Sequence, residues 1–155
     1  MRKHKLKIAA GVLVALLLGG GYWLFRLKES IHNSYAVWWV ADMVVEHLQA
    51  NSGKWPEGWE DLRDDYQTCV KRSGQPWTFE ELSQRVIIDW HADPQQLLLA
   101  SQGLDRPAFR VISLRDGTTS HWGTLEPNRI ILEYLRSPKT PPATPSPQAH
   151  ATELR

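Results

Sequence analysis

A chain of 155 residues with a net charge of +1 has room for one hydrophobic core and no second domain of ordinary size. Its single cysteine, Cys69, excludes an intramolecular disulfide and a cysteine-based metal cluster. Four positive charges, Arg2, Lys3, Lys5 and Lys7, stand at the start, which leaves 14 basic against 17 acidic residues elsewhere and excludes the basic face that nucleic-acid binding requires.

Residues 8 to 25 (IAAGVLVALLLGGGYWLF) carry no charge. As one helix they span about 27 Å, near the thickness of a bilayer's hydrocarbon core. Tyr22 and Trp23 stand where interfacial aromatics are expected, and the basic residues precede the run. The pattern predicts residues 1–28 as a basic flank and a single-pass signal anchor in the cell membrane, with the N-terminus cytoplasmic and the following domain outside the cytoplasm. A cleaved signal peptide is the rival reading, with Gly19 and Gly21 as the small residues before the cut.

Between Tyr22 and Ser52 there is neither glycine nor proline, so the helix is expected to continue into the next segment. Val37, Trp38, Ala41, Val44, Val45 and Leu48 recur at the spacing of a core-facing arc. Ile31, Tyr35, Trp39 and Met43 form a second apolar ridge, one residue in four. That ridge is the candidate docking surface, for self-association or for another membrane or envelope protein; the plainer alternative is that the chain covers it itself. Gly53 and Pro56 end the helix.

Residues 29–136 are expected to form an α+β domain: a long helix packed on a small, mostly antiparallel sheet of three to four strands, with a short C-terminal helix. Thr78 and Glu81 have capping-box spacing before a short helix. Strands are predicted at 85–90, 96–100, 109–114 and 118–122, with turns at Asp93-Pro94 and Asp116-Gly117. Pro127 opens the last helix. Residues 137–155 hold five prolines and little apolar surface, the composition of a disordered tail.

The stretch LQANSGKWPEGWEDL is similar to the end of the long helix in type II secretion pseudopilins, with Asn51, Gly53, Trp55, Pro56 and Leu62 in the places of that family's helix end, turn and following leucine. The resemblance implies a pilin-like shape and an assembly role. The chain lacks the family's prepilin peptidase site, having no acidic residue before Glu29.

Chemistry-bearing patterns are sparse. On a strand, Asp89, His91 and Asp93 would share one face and offer two carboxylates and an imidazole to a divalent metal, with His121 as a possible fourth group; a solvated strand face and a turn aspartate explain the same residues. Trp55, Trp59 and Trp77 lie near predicted loops and are candidate ligand-stacking residues, or the large side chains a small core needs. Neither a nucleophile elbow nor a phosphate-binding glycine loop is present in the sequence. The reading is a membrane-anchored, extracytoplasmic, non-enzymatic assembly module with no implied cofactor. The alternatives are a sensory domain that binds ligands through its tryptophan loops and a metal-dependent site.

Overall fold

The computed structural model describes residues 2–75, 77–119 and 126–137, except for the side chains of residues 2–15 and 18. Helix α1 (Arg2–Ala50) is 49 residues long and unbroken. Its end is a Schellman-type cap: the Gly53 amide donates to the Leu48 carbonyl (2.7 Å), and Ser52 takes φ 55°. A 3₁₀ turn (Trp59–Leu62), a short helix α2 (Arg63–Tyr66) and a π-turn (Gln67–Lys71) then run back along α1. Helix α3 (Phe79–Arg85) starts at a formed capping box between Thr78 and Glu81.

Strand β1 (Val86–Ile88) pairs antiparallel with β2 (Ile112–Leu114), Val86 opposite Leu114 and Ile88 opposite Ile112. Helix α4 (Pro94–Ala100) lies between the two strands in sequence, and α5 (Pro127–Arg136) packs on α1. The buried residues of α1, among them Val37, Val40, Met43, Val44 and Leu48, form one core with Leu62, Val70, Leu82, Val86, Ile112 and Ile131. The chain thus wraps the second half of α1 from several sides. Val37, Ala41, Val44 and Leu48 of the expected core arc are fully covered, and Trp38 and Val45 are partly covered.

Two expectations are corrected. Among the described residues the fold is α+β with five α-helices and a two-stranded antiparallel sheet, not a sheet of three to four strands. Residues 96–100 belong to α4, because Asp93 accepts from the Gln95 amide as N-cap and Pro94 fills the first turn. The three consecutive leucines that follow lack the β-branching that favours strands. Only 112–114 of the third predicted strand pairs, since Asn128 takes the Val111 and Ile112 amides. Thr118 and Thr119 are not in a strand, and residues 120–122 of the fourth lie outside the described residues.

The second correction concerns the anchor. Among the described residues no helix is long and apolar enough to cross a membrane. Arg26, Lys28 and Glu29 follow the apolar stretch on the same helix. The expectations of a transmembrane helix, a single-pass signal anchor and a cell-membrane location with an exported domain are overturned on this ground. The expected tail beyond Ser137 lies outside the described residues.

Candidate interaction surface

Helix α1 leaves the head near residue 30. Leu16, Leu17, Tyr22, Trp23, Leu24 and Phe25 are 61–67 % exposed, and Leu27 is 42 % exposed. These residues fall on more than one side of the helix. An apolar set of this kind is normally covered in the working form of a protein, because each large side chain gains about 1.5–3 kcal/mol when fully buried.

A polar collar fixes where the helix emerges. Arg85 donates through Nη1 to Glu29 Oε1 (2.7 Å) and Asn33 Oδ1 (2.8 Å), and Asn33 Nδ2 donates to Asp116 Oδ2 (3.2 Å). The Arg85 bond holds the Glu29 carboxyl below its ordinary range. His32 stacks on Trp77 with centroids 3.8 Å apart, and burial lowers its pKa, helped by the nearby Arg85 charge. The collar joins α1 to the end of α3 and to the turn after β2, so the exposed segment departs from a braced base.

The four ridge residues meet different fates. Tyr35 is 42 % exposed and Ile31 is half-buried, whereas Trp39 (7 %) and Met43 (0 %) lie in the core. Tyr35 and Trp38 meet edge to face at 6.3 Å, and Trp38 tilts against Trp39 at 4.4 Å. The Trp39 indole Nε1 is buried and finds no hydrogen-bond partner among the described residues.

The three tryptophans proposed for loops serve the head's packing. Trp55 is buried, and its Nε1 donates to the Asp89 carbonyl (2.9 Å). Trp77 is buried under His32 and Arg85. Trp59, half-buried, meets Phe79 and Trp90 edge to face at 5.8 and 5.6 Å. The geometry gives each a structural partner, and no common stacking platform is formed by the three.

Asp89 and Asp93 bind backbone rather than one another: Asp89 Oδ1 accepts from the His91 amide (3.0 Å) and Asp93 Oδ1 from the Gln95 amide (2.9 Å). Strand β1 ends at Ile88, so the three residues do not share a strand face. Among the described residues no group of three or more histidine, cysteine, aspartate or glutamate side chains is placed to hold a metal; His121 lies outside them. Burial pushes the Cys69 thiol up to about 12, which leaves it protonated and unreactive at neutral pH.

Sequence reasoning missed two polar anchors. His47 Nδ1 lies 3.2 Å from Asp65 Oδ2, both side chains being about nine-tenths buried, and Asn51 Nδ2 lies 3.3 Å from the same nitrogen. Burial raises the Asp65 pKa, partly offset by the hydrogen bond with His47. Asn128 is 3 % exposed; its Oδ1 accepts from the Val111 and Ile112 amides (2.8 and 2.9 Å), and its Nδ2 donates to the Ile112 carbonyl (3.1 Å). Neither had a local signature: a histidine among apolar helix residues and an asparagine after proline were the only cues. Compared with known protein families, with characterised proteins and with solved structures, the chain matches none.

Proposed function

We propose that the protein is a non-enzymatic assembly module that self-associates through the exposed apolar part of α1. The observation that carries this reading is the run of large apolar side chains from Leu16 to Leu27, which the head leaves uncovered. A helix apolar on several sides needs a second surface, and a like helix from another copy offers one that is equally apolar and of the same length. Gly19, Gly20 and Gly21 support it: beyond the adjacent helix backbone, nothing among the described residues lies within 4 Å of a Cβ built at any of them, so they leave room for close approach of a second backbone. Each costs about 1 kcal/mol against alanine inside a helix, a cost that close packing can offset. The pilin-like likeness of the helix end fits the same role.

Sedimentation of the full chain tests the reading. The wild-type protein is expected to run as a dimer or larger species, and Leu17→Glu with Leu24→Glu as a monomer with an unchanged near-ultraviolet spectrum of the head. A wild-type chain that stays monomeric at every concentration overturns it. So does a chain whose apolar segment is taken up by detergent micelles as single copies, with no protein–protein contact.

A further inference from the structure

One side of α1 stays open from the exposed stem, residues 16–28, into the head. On the stem that side carries Leu17 and Leu24, both exposed. In the head it continues through half-buried Ile31, exposed Tyr35 and half-buried Trp38, Asp42 and Glu46. Steps of four and three residues from Leu17 pass Gly21, Leu24, Lys28 and Ile31 and reach Tyr35, Trp38 and Asp42. The same steps taken backwards along the helix pass Val14 and Ala10 and reach Lys7 and Lys3. This seven-residue repeat is the seam of a two-helix supercoil.

Charge is segregated along the seam. Residues 1–28 hold six basic and no acidic residues, and residues 29–136 hold ten basic and sixteen acidic ones, so the first segment carries +6 and the head −6. Asp42 and Glu46 stand one turn apart on the open side. Among the described residues neither has a lysine, arginine or histidine within ion-pair distance. Like charges at that spacing repel, and a cation brought beside them relieves the repulsion.

We propose that two copies pair antiparallel along this seam, crossing near Leu24, so that Lys3 and Lys7 of each lie beside the partner's Asp42 and the partner's Glu46. The inference rests on the self-association proposed above and adds its direction and its contacts. A parallel pair sets two positive segments side by side and two negative heads side by side; the antiparallel pair sets each positive segment on a negative head. It also fills the seam. Leu17 comes level with the partner's Ile31. Gly21, which leaves its side of the helix open, comes level with the partner's Leu24 and the partner's Lys28, where the lysine's aliphatic chain can lie along the helix and its ammonium reach water. Ala10 and Val14 come level with the partner's Trp38 and the partner's Tyr35, small side chains against large. A two-fold axis closes the pair, so each contact is made twice.

Thiol crosslinking of the full chain tests the direction. Chains with Leu17→Cys and chains with Ile31→Cys are mixed, allowed to exchange and treated briefly with a short bismaleimide; the native Cys69 is buried. Products joining position 17 to position 31 are expected to dominate. Products joining 17 to 17 and 31 to 31 show parallel pairing and overturn the proposal while self-association stands; a wild-type chain that sediments as a monomer overturns both. Charge exchange, read by sedimentation, tests the contact. Lys3→Glu/Lys7→Glu should weaken the dimer about tenfold or more, and adding Asp42→Lys/Glu46→Lys to the same chain should restore its affinity to within about threefold of the wild type. An unchanged affinity in the first variant, or no recovery in a folded second one, counts against the proposal. If the second variant unfolds, the crosslinked pair decides.

Discussion

The two halves of α1 are one continuous helix with opposite fates. From Leu16 to Lys28 every residue with a described side chain is exposed, including six large apolar ones above 60 %. From Ala36 to Leu48 most residues are buried, and Met43, Val44 and Leu48 are fully so. Both stretches are rich in large apolar residues, yet only the second is core. Hydrophobicity says that a surface needs covering; what covers it is decided by where the rest of the chain returns. Here the 3₁₀ turn, α2, α3, the two strands and α5 all return to the second half.

The sharpest way to test that contrast is to make the same change in both halves. Leu48→Ala and Met43→Ala should each cost about 2–5 kcal/mol in denaturant unfolding, since each removes a buried side chain and leaves a cavity. Leu24→Ala should stay within about 0.5 kcal/mol for unfolding of the head and show its effect in sedimentation instead. A Leu24→Ala cost equal to that of Leu48→Ala would mean that the head, not a second copy, covers the first half.

The core arc was legible because Val37, Ala41, Val44 and Leu48 follow a helical period that needs no tertiary information. The capping box at Thr78 and Glu81 and the start of α5 at Pro127 were legible for the same reason: each is a local pattern with a local bond to satisfy. Residues 96–100 were misread because Asp93-Pro94 signals a turn and a helix start equally well, and the following leucines carry no period-two alternation to decide between them. The ridge was misjudged at Trp39 and Met43 because a wheel shows which residues share a side and not how many sides the chain will cover. Asn128, which takes the Val111 and Ile112 amides where the strand pair ends, was invisible for a deeper reason: its partners lie 16 and 17 residues away, and nothing in the intervening sequence marks them.

The collar between the halves should make stability depend on pH. The folded His32 titrates below its ordinary value of 6.5 because burial disfavours its charge. The folded state therefore binds fewer protons than the unfolded one, and stability rises with pH through this window. The contribution is present above 6.5 and is lost as the pH falls toward the lower folded value. Glu29, held low by Arg85, adds a second loss at lower pH, below its ordinary 4.5; this one is small, because both partners of the pair are more than a third exposed. Thermal midpoints of the wild type should fall between neutral and mildly acidic pH, and His32→Gln should flatten that slope whatever it does to the midpoint at neutral pH. A variant with the wild-type slope would remove His32 as its source.

The end of the buried half offers a smaller effect of the opposite sign. Ser52 occupies the left-handed position of the helix cap at φ 55°, where a side chain meets strain that glycine avoids. Ser52→Gly should raise stability by about 1 kcal/mol, measured by denaturant unfolding. A loss would mean that the Ser52 conformation is relaxed by a contact at the helix end.

The smallest expected effect comes from Trp39, where two terms oppose each other inside the buried half. Its ring fills core space, and its Nε1 is buried without a partner among the described residues, a state that costs about 1–3 kcal/mol relative to an indole that is hydrogen-bonded or absent. Trp39→Phe removes the unpaired donor and keeps an aromatic ring against Trp38, at the cost of the cavity left by the lost atoms, about 24 cal/mol per Å³. The two changes are of similar size, so the variant should unfold within about 1 kcal/mol of the wild type. Trp39→Ala, which keeps neither ring nor packing, should cost about 3–5 kcal/mol. The pair of variants separates the indole nitrogen from the ring. If phenylalanine costs nearly as much as alanine, the nitrogen has an acceptor in solution, and a second copy brought against Trp38 and Tyr35 would be the place to look for it. If phenylalanine is neutral, Trp39 belongs wholly to the head, and the covered half of α1 needs no second copy at that position.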